Sequence, residues 1–290
     1  MISAVDENLL AIDIVCNAFT PEALANGWMS TDPDFHKKVK VKTEYRNGVS
    51  PEKYMEMMDR SGIERSFLIA SRSGDINIKG SAHMPTDYIA KLVNKYPERF
   101  SGLIGIDPSR IMESLSELEH AISQLGFVGA HLYPHWFEEA PDASKYYPFY
   151  AKCCELNIPI QMQVGHCLVY NPYRRLPSVG HPLCLDQIAI DFPELKIVGI
   201  HIGYPWYEEM ISIAWKHQNV FIGLDAYAPK HWPLATQHYM NTFGQDKVLF
   251  GTDWPVVDPE RAMEDLKQIQ FKPGIKRKIL RSNAEKLYSL

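Results

Sequence analysis

The sequence alternates between short apolar runs and longer segments in which apolar positions recur every three or four residues. The stretch 110–125 shows the second pattern, with apolar side chains at Ile111, Leu115, Leu118, Ile122 and Leu125. This spacing gathers them on one face and predicts an amphipathic helix. Runs such as Val248–Phe250 are continuous and apolar, which is typical of a strand buried on both faces.

Applied to the whole chain, the two patterns predict eight strands, each followed by a helix. The strands are expected at 9–16, 63–70, 100–106, 127–133, 158–164, 195–201, 220–225 and 248–253. The helices are expected at 51–60, 86–96, 110–125, 145–156, 182–191, 206–217, 233–243 and 259–268. Alternation at this count predicts a (β/α)8 TIM barrel that forms a single domain over residues 1–290. A doubly wound open sheet is the alternative, but no Gly-rich phosphate-binding motif follows the first strand.

One connection is much longer than the others. Residues 17–50 separate the first predicted strand from its helix, and a connection of this length inside a compact chain is usually functional. We expect it to fold over the barrel mouth as a lid and to bring Phe19, Trp28 or Phe35 against a ligand. Its basic run, 36–42, is either a solvated surface or a landing site for an anionic substrate tail.

Composition narrows the possible partners and the compartment. A net charge of −5 and a pI near 6.1 argue against nucleic acid or an anionic membrane as the main partner. The odd number of five cysteines, with Cys153 and Cys154 adjacent, argues against a disulfide framework and favours the cytoplasm. The apolar run 9–15 is interrupted by Asp13 and is too short for a signal peptide or a membrane span. We therefore expect a cytoplasmic homo-oligomer that binds a small anionic molecule.

Polar and ionisable side chains cluster at the carboxyl ends of the predicted strands, where TIM barrels place their active sites. They include Asn17, His131, Tyr133, Gln163, His166, His201, Tyr204, Asp225, Tyr227, Asp253 and Trp254. Imidazoles and a carboxylate on one rim suit a divalent metal such as zinc, and they equally suit acid–base catalysis without metal. Arg174, in the loop after the fifth strand, is a candidate partner for a substrate carboxylate or a surface residue.

Several motifs extend this interpretation over nearly the whole chain. The segments GTDWP, HIGYPW, DFPELKIVG and GFVGAHLYP resemble the amidohydrolase superfamily, in its branch of decarboxylases and lactonases. The resemblance implies a His-x-His pair on the first strand, a His on the fifth, a His on the sixth and an Asp on the eighth. His201 and Asp253 match the last two. Val15 and Asn17 replace the His-x-His pair, and Gln163 stands at the fifth-strand position, three residues before His166.

The missing pair leaves two mechanisms open. In the first, which we favour, catalysis is metal-free: Asp253 activates water, His201 and His166 polarise a carbonyl, and Tyr133, Gln163 or Asn17 donates to the oxyanion. In the second, zinc is held by His131, His166, His201 and Asp253. His131, Tyr204 and Trp254 complete the expected substrate-binding set.

The resemblance predicts a hydrolase that attacks a carbonyl carbon of a small organic acid or aromatic catabolite, with a lactone, β-diketone or β-ketoacyl thioester as substrate. The alternative is a non-oxidative decarboxylase of an aromatic or enoic acid. A second alternative is a non-catalytic barrel that only binds a ligand.

Overall fold

The computed structural model describes residues 9–29, 33–169, 173 and 175–290. Eight parallel strands form one sheet that curls into a barrel, which confirms the predicted (β/α)8 architecture. The strands are β1 (Ala11–Cys16), β2 (Ile63–Ala70), β3 (Phe100–Gly105), β4 (Gly129–Leu132), β5 (Ile160–Gln163), β6 (Ile197–Ile200), β7 (Val220–Leu224) and β8 (Val248–Phe250). Several end before the predicted residue, so that His201, Asp225 and Asp253 lie in the loops that follow β6, β7 and β8.

Each strand pairs in parallel with the next one along the chain, and the barrel closes between β1 and β8. Closure occurs at the carboxyl ends of these two strands. The Asp253 N–H donates to the Val15 carbonyl at 2.8 Å, and the Asn17 N–H donates to the Trp254 carbonyl at 3.1 Å. The seam of the barrel therefore passes through residues that the sequence predicts to be functional.

Helices surround the sheet. They are α1 (Pro21–Ala25), α2 (Pro33–Lys38), α3 (Pro51–Ser61), α4 (Thr86–Lys95), α5 (Ile111–Gln124), α6 (Pro134–Phe137), α7 (Tyr147–Glu155), α8 (Cys184–Asp191), α9 (Tyr207–Lys216), α10 (Leu234–Met240), α11 (Pro259–Leu266), α12 (Ile275–Arg277) and α13 (Asn283–Tyr288). A π-helical turn, Lys278–Ser282, joins the last two.

Capping residues set the ends of the two helices beside the seam. The Ser50 side chain accepts the Lys53 N–H at the start of α3, and Gly62 ends that helix with φ 72°. The left-handed conformation at Gly62 carries little steric penalty because the residue has no Cβ. Asp258 accepts the Arg261 N–H at 3.0 Å and starts α11 directly after the β8 loop.

The barrel interior is filled with side chains rather than open. Its core includes Ile12, Ile14, Phe67, Ile69, Leu103, Val198, Ile200 and Leu249. Tyr288 from α13 packs edge-on against Phe67, with ring centroids 4.8 Å apart, and its hydroxyl lies 2.9 Å from Gln161 Nε2. A ligand must therefore bind at the mouth, as in other barrels of this type.

Two further expectations from the sequence can be compared with the structure. Cys16, Cys153, Cys154, Cys167 and Cys184 are all free thiols. Within the described ranges, no helix combines the length and apolarity needed to cross a bilayer.

Candidate active site

A cavity lies at the carboxyl end of the barrel, with about 130 Å³ open to the centre of a water molecule. One water requires roughly 10–15 Å³ on this measure, so the cavity has room for a small organic molecule. Strand-end residues form what we call the floor: Asn17, Ser71, Ser73, Tyr133, Gln163, His201, Ala226, Tyr227 and Asp253. Residues of the 17–50 segment form what we call the roof: Phe19, Met29, Phe35, His36 and Val39.

His201 is held on the floor by Asp225. The His201 N–H donates to Asp225 Oδ1 at 2.8 Å, and His201 Nδ1 lies 2.5 Å from Asp225 Oδ2. Asp225 is fully buried and His201 nearly so. Because the carboxylate accepts from Nδ1, the hydrogen is on that nitrogen, and Nε2 is the one left for a ligand.

The surroundings shift the pKa values of both Asp253 and His201. Burial raises the pKa of Asp253 to about 7, although the nearby His201 counteracts part of the shift. Burial lowers the pKa of His201, but the carboxylates of Asp225 and Asp253 raise it more, and the net shift is upward. The floor therefore retains an exchangeable proton close to neutral pH.

Asn17 supports Asp253 from the first strand. Its Nδ2 donates to Asp253 Oδ1 and to the Trp254 carbonyl, both at 2.9 Å. Both partners are acceptors, so the amide must present its nitrogen to them. Asn17 therefore provides one hydrogen bond to Asp253, at the position where the resemblance implies a metal-binding His.

The backbone at the floor is constrained. Asp253 has φ 54°, His201 has φ 66° and Ala226 has φ 64°. Residues with a Cβ rarely adopt this left-handed conformation, and they retain it only where the surroundings hold it. Three neighbouring strand ends thus turn sharply and direct their loops around one point.

Three other predicted residues also line the cavity. Tyr133 and Gln163 lie at the ends of β4 and β5, and His166 lies three residues beyond Gln163. His166 Nδ1 lies 2.8 Å from Ser178 Oγ, and its ring packs edge-on against Trp206 at 4.8 Å. The structure thus brings these three residues together with Asn17, His201 and Asp253.

His131 lies inside β4 and does not line the cavity. Its ring packs edge-on against Tyr133, with centroids 4.2 Å apart. The side chain is buried, and neither ring nitrogen has a hydrogen-bond partner among the described residues. Burial, together with the nearby His201, lowers the pKa of His131 to about 3. His131 is therefore a neutral imidazole behind the cavity wall.

The remaining predicted residues are outside the cavity lining or outside the described part of the chain. Trp254 is buried between Tyr45 and Tyr54, with ring centroids 5.1 and 5.2 Å away. Tyr204 is 44% exposed and packs against Tyr227. Neither side chain lines the cavity, contrary to the expectation from the sequence. Arg174 lies outside the described residues.

Asp225 is identified from the sequence at a strand end but is given no role there, because its bonds to His201 join residues 24 positions apart and leave no local signal. Three small polar residues of the cavity are not among the site residues selected from the sequence. Ser71 and Ser73 follow β2, and Cys167 lies beside His166. Small polar residues in loops are common, so only the folded chain distinguishes these three.

The described part of the 17–50 segment contacts both the cavity and the start of α11, which follows the β8 loop. Phe19 and Phe35 reach the cavity as expected, whereas Trp28 packs against Tyr88, with centroids 5.0 Å apart. Lys42 Nζ lies 2.7 Å from Asp258 Oδ2, where α11 begins. This ion pair ties the 17–50 segment to the start of α11, which directly follows the loop that contains Asp253.

The donors around the floor can be tested against a metal. In the part of the chain that is described, the ionisable group with ligand atoms within 4.8 Å of one another is His201, Asp225 and Asp253. His131 and His166, which the sequence predicts as possible ligands, are not in that group. Both Asp225 oxygens bind His201, in the arrangement by which carboxylates orient metal-binding imidazoles. His201 Nε2 and Asp253 remain, too few for the usual three-ligand catalytic zinc but suited to a water-rich cation such as Mn²⁺ or Mg²⁺.

Similar proteins bear on the activity. A γ-resorcylate decarboxylase from Polaromonas is 23% identical over 81% of this chain and 86% of that protein. A dihydroxybenzoic acid decarboxylase from Polaromonas, solved with bound manganese and 2-nitroresorcinol, superposes with a TM-score of 0.71 at 20% identity, covering 97% of both chains. These relatives are carboxy-lyases, so the expected hydrolase is wrong and the decarboxylase alternative is the one supported. The manganese likewise gives no support to the metal-free preference.

Similarity also extends to the whole chain. A TIM-barrel protein of unassigned function from Bordetella bronchiseptica superposes with a TM-score of 0.82 at 25% identity, covering 97% of this chain and 99% of that one. Residues 31–290 match the amidohydrolase family. The protein is a member of the amidohydrolase family.

Proposed function

We propose that the protein is a carboxy-lyase that removes CO2 from a small aromatic carboxylic acid without an oxidant. The observation that carries this proposal is the buried carboxyl group of Asp253, whose pKa is raised to about 7, on the polar floor of a cavity with an apolar roof. The named decarboxylases among the relatives support the same reaction class.

The cavity suits a flat ring with a polar group at one end. Phe19, Phe35 and Val39 offer apolar contacts from the roof, and the floor offers hydrogen-bonding groups. No Lys or Arg is among the described residues that line the cavity. In the absence of a cation, positive charge for a substrate carboxylate would therefore have to come from the protonated form of His201, whose pKa the surrounding carboxylates raise.

The reaction exchanges a carboxylate for a proton. Asp253 in its neutral form donates a proton to the ring carbon that carries the carboxylate, and a new C–H bond forms. The bond from that carbon to the carboxylate then breaks, its electron pair returns to the ring, and CO2 leaves. Asn17 and His201 stabilise the Asp253 carboxylate that remains, and a proton from solvent restores it.

A divalent cation fits beside these residues. His201 Nε2 would hold it, with Asp225 orienting the imidazole, and the Asp253 carboxylate would join as a ligand once its proton has been given up. When bound, such a cation would supply positive charge for the oxygen atoms of the substrate.

We further propose that the 17–50 segment is a lid that excludes water from the ring during proton transfer. Phe35→Ala would remove an apolar contact from the roof and should raise KM several-fold. Trp28→Phe is the matched control, because Trp28 packs away from the cavity. Equal effects of the two substitutions would contradict the lid.

The reaction is tested by incubating the purified protein with a panel of hydroxybenzoates, with and without Mn²⁺, in D2O. We expect CO2 release and one deuterium at the vacated ring carbon, detected by ¹H NMR. Asp253→Asn is the negative control. Failure to release CO2 from any aromatic acid, with or without Mn²⁺, would refute the proposed activity.

A further inference from the structure

Asp13 is a fully buried acid that does not line the cavity. It lies in the middle of β1, between Ile12 and Ile14. A carboxylate inside a barrel strand is costly unless hydrogen bonds compensate for lost water. The hydrogen-bond partners of Asp13 therefore indicate its role.

Among the described residues, the hydrogen-bond partners of Asp13 belong to β1 itself or to the loop after β8. Oδ1 accepts the Val15 N–H at 3.1 Å and the Thr252 N–H at 2.9 Å. Oδ2 lies 2.5 Å from Thr252 Oγ1, which must donate because the carboxylate accepts. Asp13 therefore binds both the backbone and the side chain of the residue that precedes Asp253.

The same network holds the residue after Asp253. Thr252 Oγ1 accepts the Trp254 N–H at 3.1 Å while it donates to Asp13. The Asp253 N–H is itself bound to the Val15 carbonyl at 2.8 Å. Asp253 thus lies between two residues that Asp13 fixes, one directly and one through a hydroxyl.

The hydrogen bonds that join Asp13, Thr252 and Trp254, which we call the clamp, explain how Asp253 keeps its left-handed backbone conformation. A residue with a Cβ is disfavoured in that region, and relaxation of the turn would redirect the Asp253 side chain. The carboxylate now faces Asn17 and belongs to the cluster with His201. We infer that Asp13 is a positioning residue: through Thr252 it fixes the turn that points Asp253 into the cavity. The inference rests on the catalytic role proposed for Asp253.

Variants of both partners test the clamp. Asp13→Asn keeps the shape but removes one acceptor, and Thr252→Val keeps the volume but removes the hydroxyl. Each should lower kcat by up to about 10²-fold and leave KM within about twofold, because ~1 Å of misplacement has effects of that size. The double variant should be no worse than either single one, since both break one network. Thr252→Ser retains the hydroxyl and should keep wild-type kcat.

Asp107→Asn is the matched control. Asp107 is equally buried at the end of β3 and accepts from Ser109, but it does not line the cavity. We expect it to lower the free energy of unfolding without changing kcat of the folded enzyme. If Asp13→Asn or Thr252→Val behaves in the same way, or if their losses of kcat are additive, the inference is overturned.

A readout without substrate separates this inference from the proposed activity. Crystal structures of Asp13→Asn and Thr252→Val should show Asp253 leaving the left-handed region and its carboxylate moving away from Asn17. A turn that keeps φ near 54° in both variants would refute the clamp even if decarboxylation is confirmed. Conversely, a displaced turn in a protein without decarboxylase activity would leave the clamp standing and overturn only the proposed function.

Discussion

His131 allows a quantitative test of the electrostatics around the site. Its ring is buried, and its two nitrogens have no partner among the described residues. An apolar side chain in its place loses no hydrogen bond, so His131→Leu should change the free energy of unfolding at pH 7 by only about 1 kcal/mol. The informative quantity is how this change depends on pH.

The sign follows from the pKa values. The pKa of His131 is about 3 in the folded protein and near 6.5 in the unfolded chain. At pH 5 the unfolded chain therefore binds a proton that the folded protein does not, and the native state is disfavoured. With 1.36 kcal/mol per pKa unit, His131 costs about 2 kcal/mol of stability between pH 7 and pH 5. The Leu variant escapes this cost and should gain about 2 kcal/mol on wild type over that interval.

Urea titrations of both proteins at pH 5, 6 and 7 in the presence of a chelator, followed by tryptophan fluorescence, measure the difference directly. Other titrating groups cancel in the comparison as long as the substitution leaves them unchanged. A difference that does not vary with pH would show that His131 binds a proton in the folded state, and would refute its assignment as a neutral buried imidazole. Activity is a separate readout, because His131 packs against Tyr133 at the cavity.

Three other outcomes are expected. Asp253→Asn should lower kcat by roughly 10²–10⁴-fold with little change in Tm, measured by CO2 release and calorimetry; a melted protein whose folded fraction is fully active would refute the role of Asp253 as acid. Asp225→Asn removes the carboxylate that raises the pKa of His201, so NMR titration of the imidazole should show a lower pKa. The affinity for Mn²⁺, measured by calorimetry, should weaken as the pH falls below about 7, because the cation competes with the proton on Asp253.

The sequence predicts the barrel well because long apolar runs have few alternatives to burial in a closed parallel sheet. It also identifies the rim on which Asn17, His201 and Asp253 meet. It does not predict which way each strand-end side chain points. Asp253 faces the cavity, whereas its neighbour Trp254 packs outward against Tyr45. The backbone turn that separates the two directions depends on hydrogen bonds with β1 and Asn17, which are distant in sequence.

The positions of the other candidate site residues depend on the same kind of contact. His131 and Gln163 both lie at or near the ends of neighbouring strands, yet His131 lies behind the cavity wall and Gln163 lines it. The partnership of His201 with Asp225 depends on two strands lying side by side, which no local motif records. The choice of hydrolase over lyase rested on the missing His-x-His pair, and the loss of ligands did not determine the reaction class.

The seam between β1 and β8 has a consequence for how the enzyme is made. Asn17 and Asp253, which meet there, are separated by 236 positions. During synthesis the first seven strands cannot close the barrel until β8 has been made. Until then the edges of β1 and β7 are unpaired and open to association with other chains. Contacts this distant also make folding slow, because a long loop must close before they contribute. The active site is thus assembled last, so any activity reports that the whole barrel has closed.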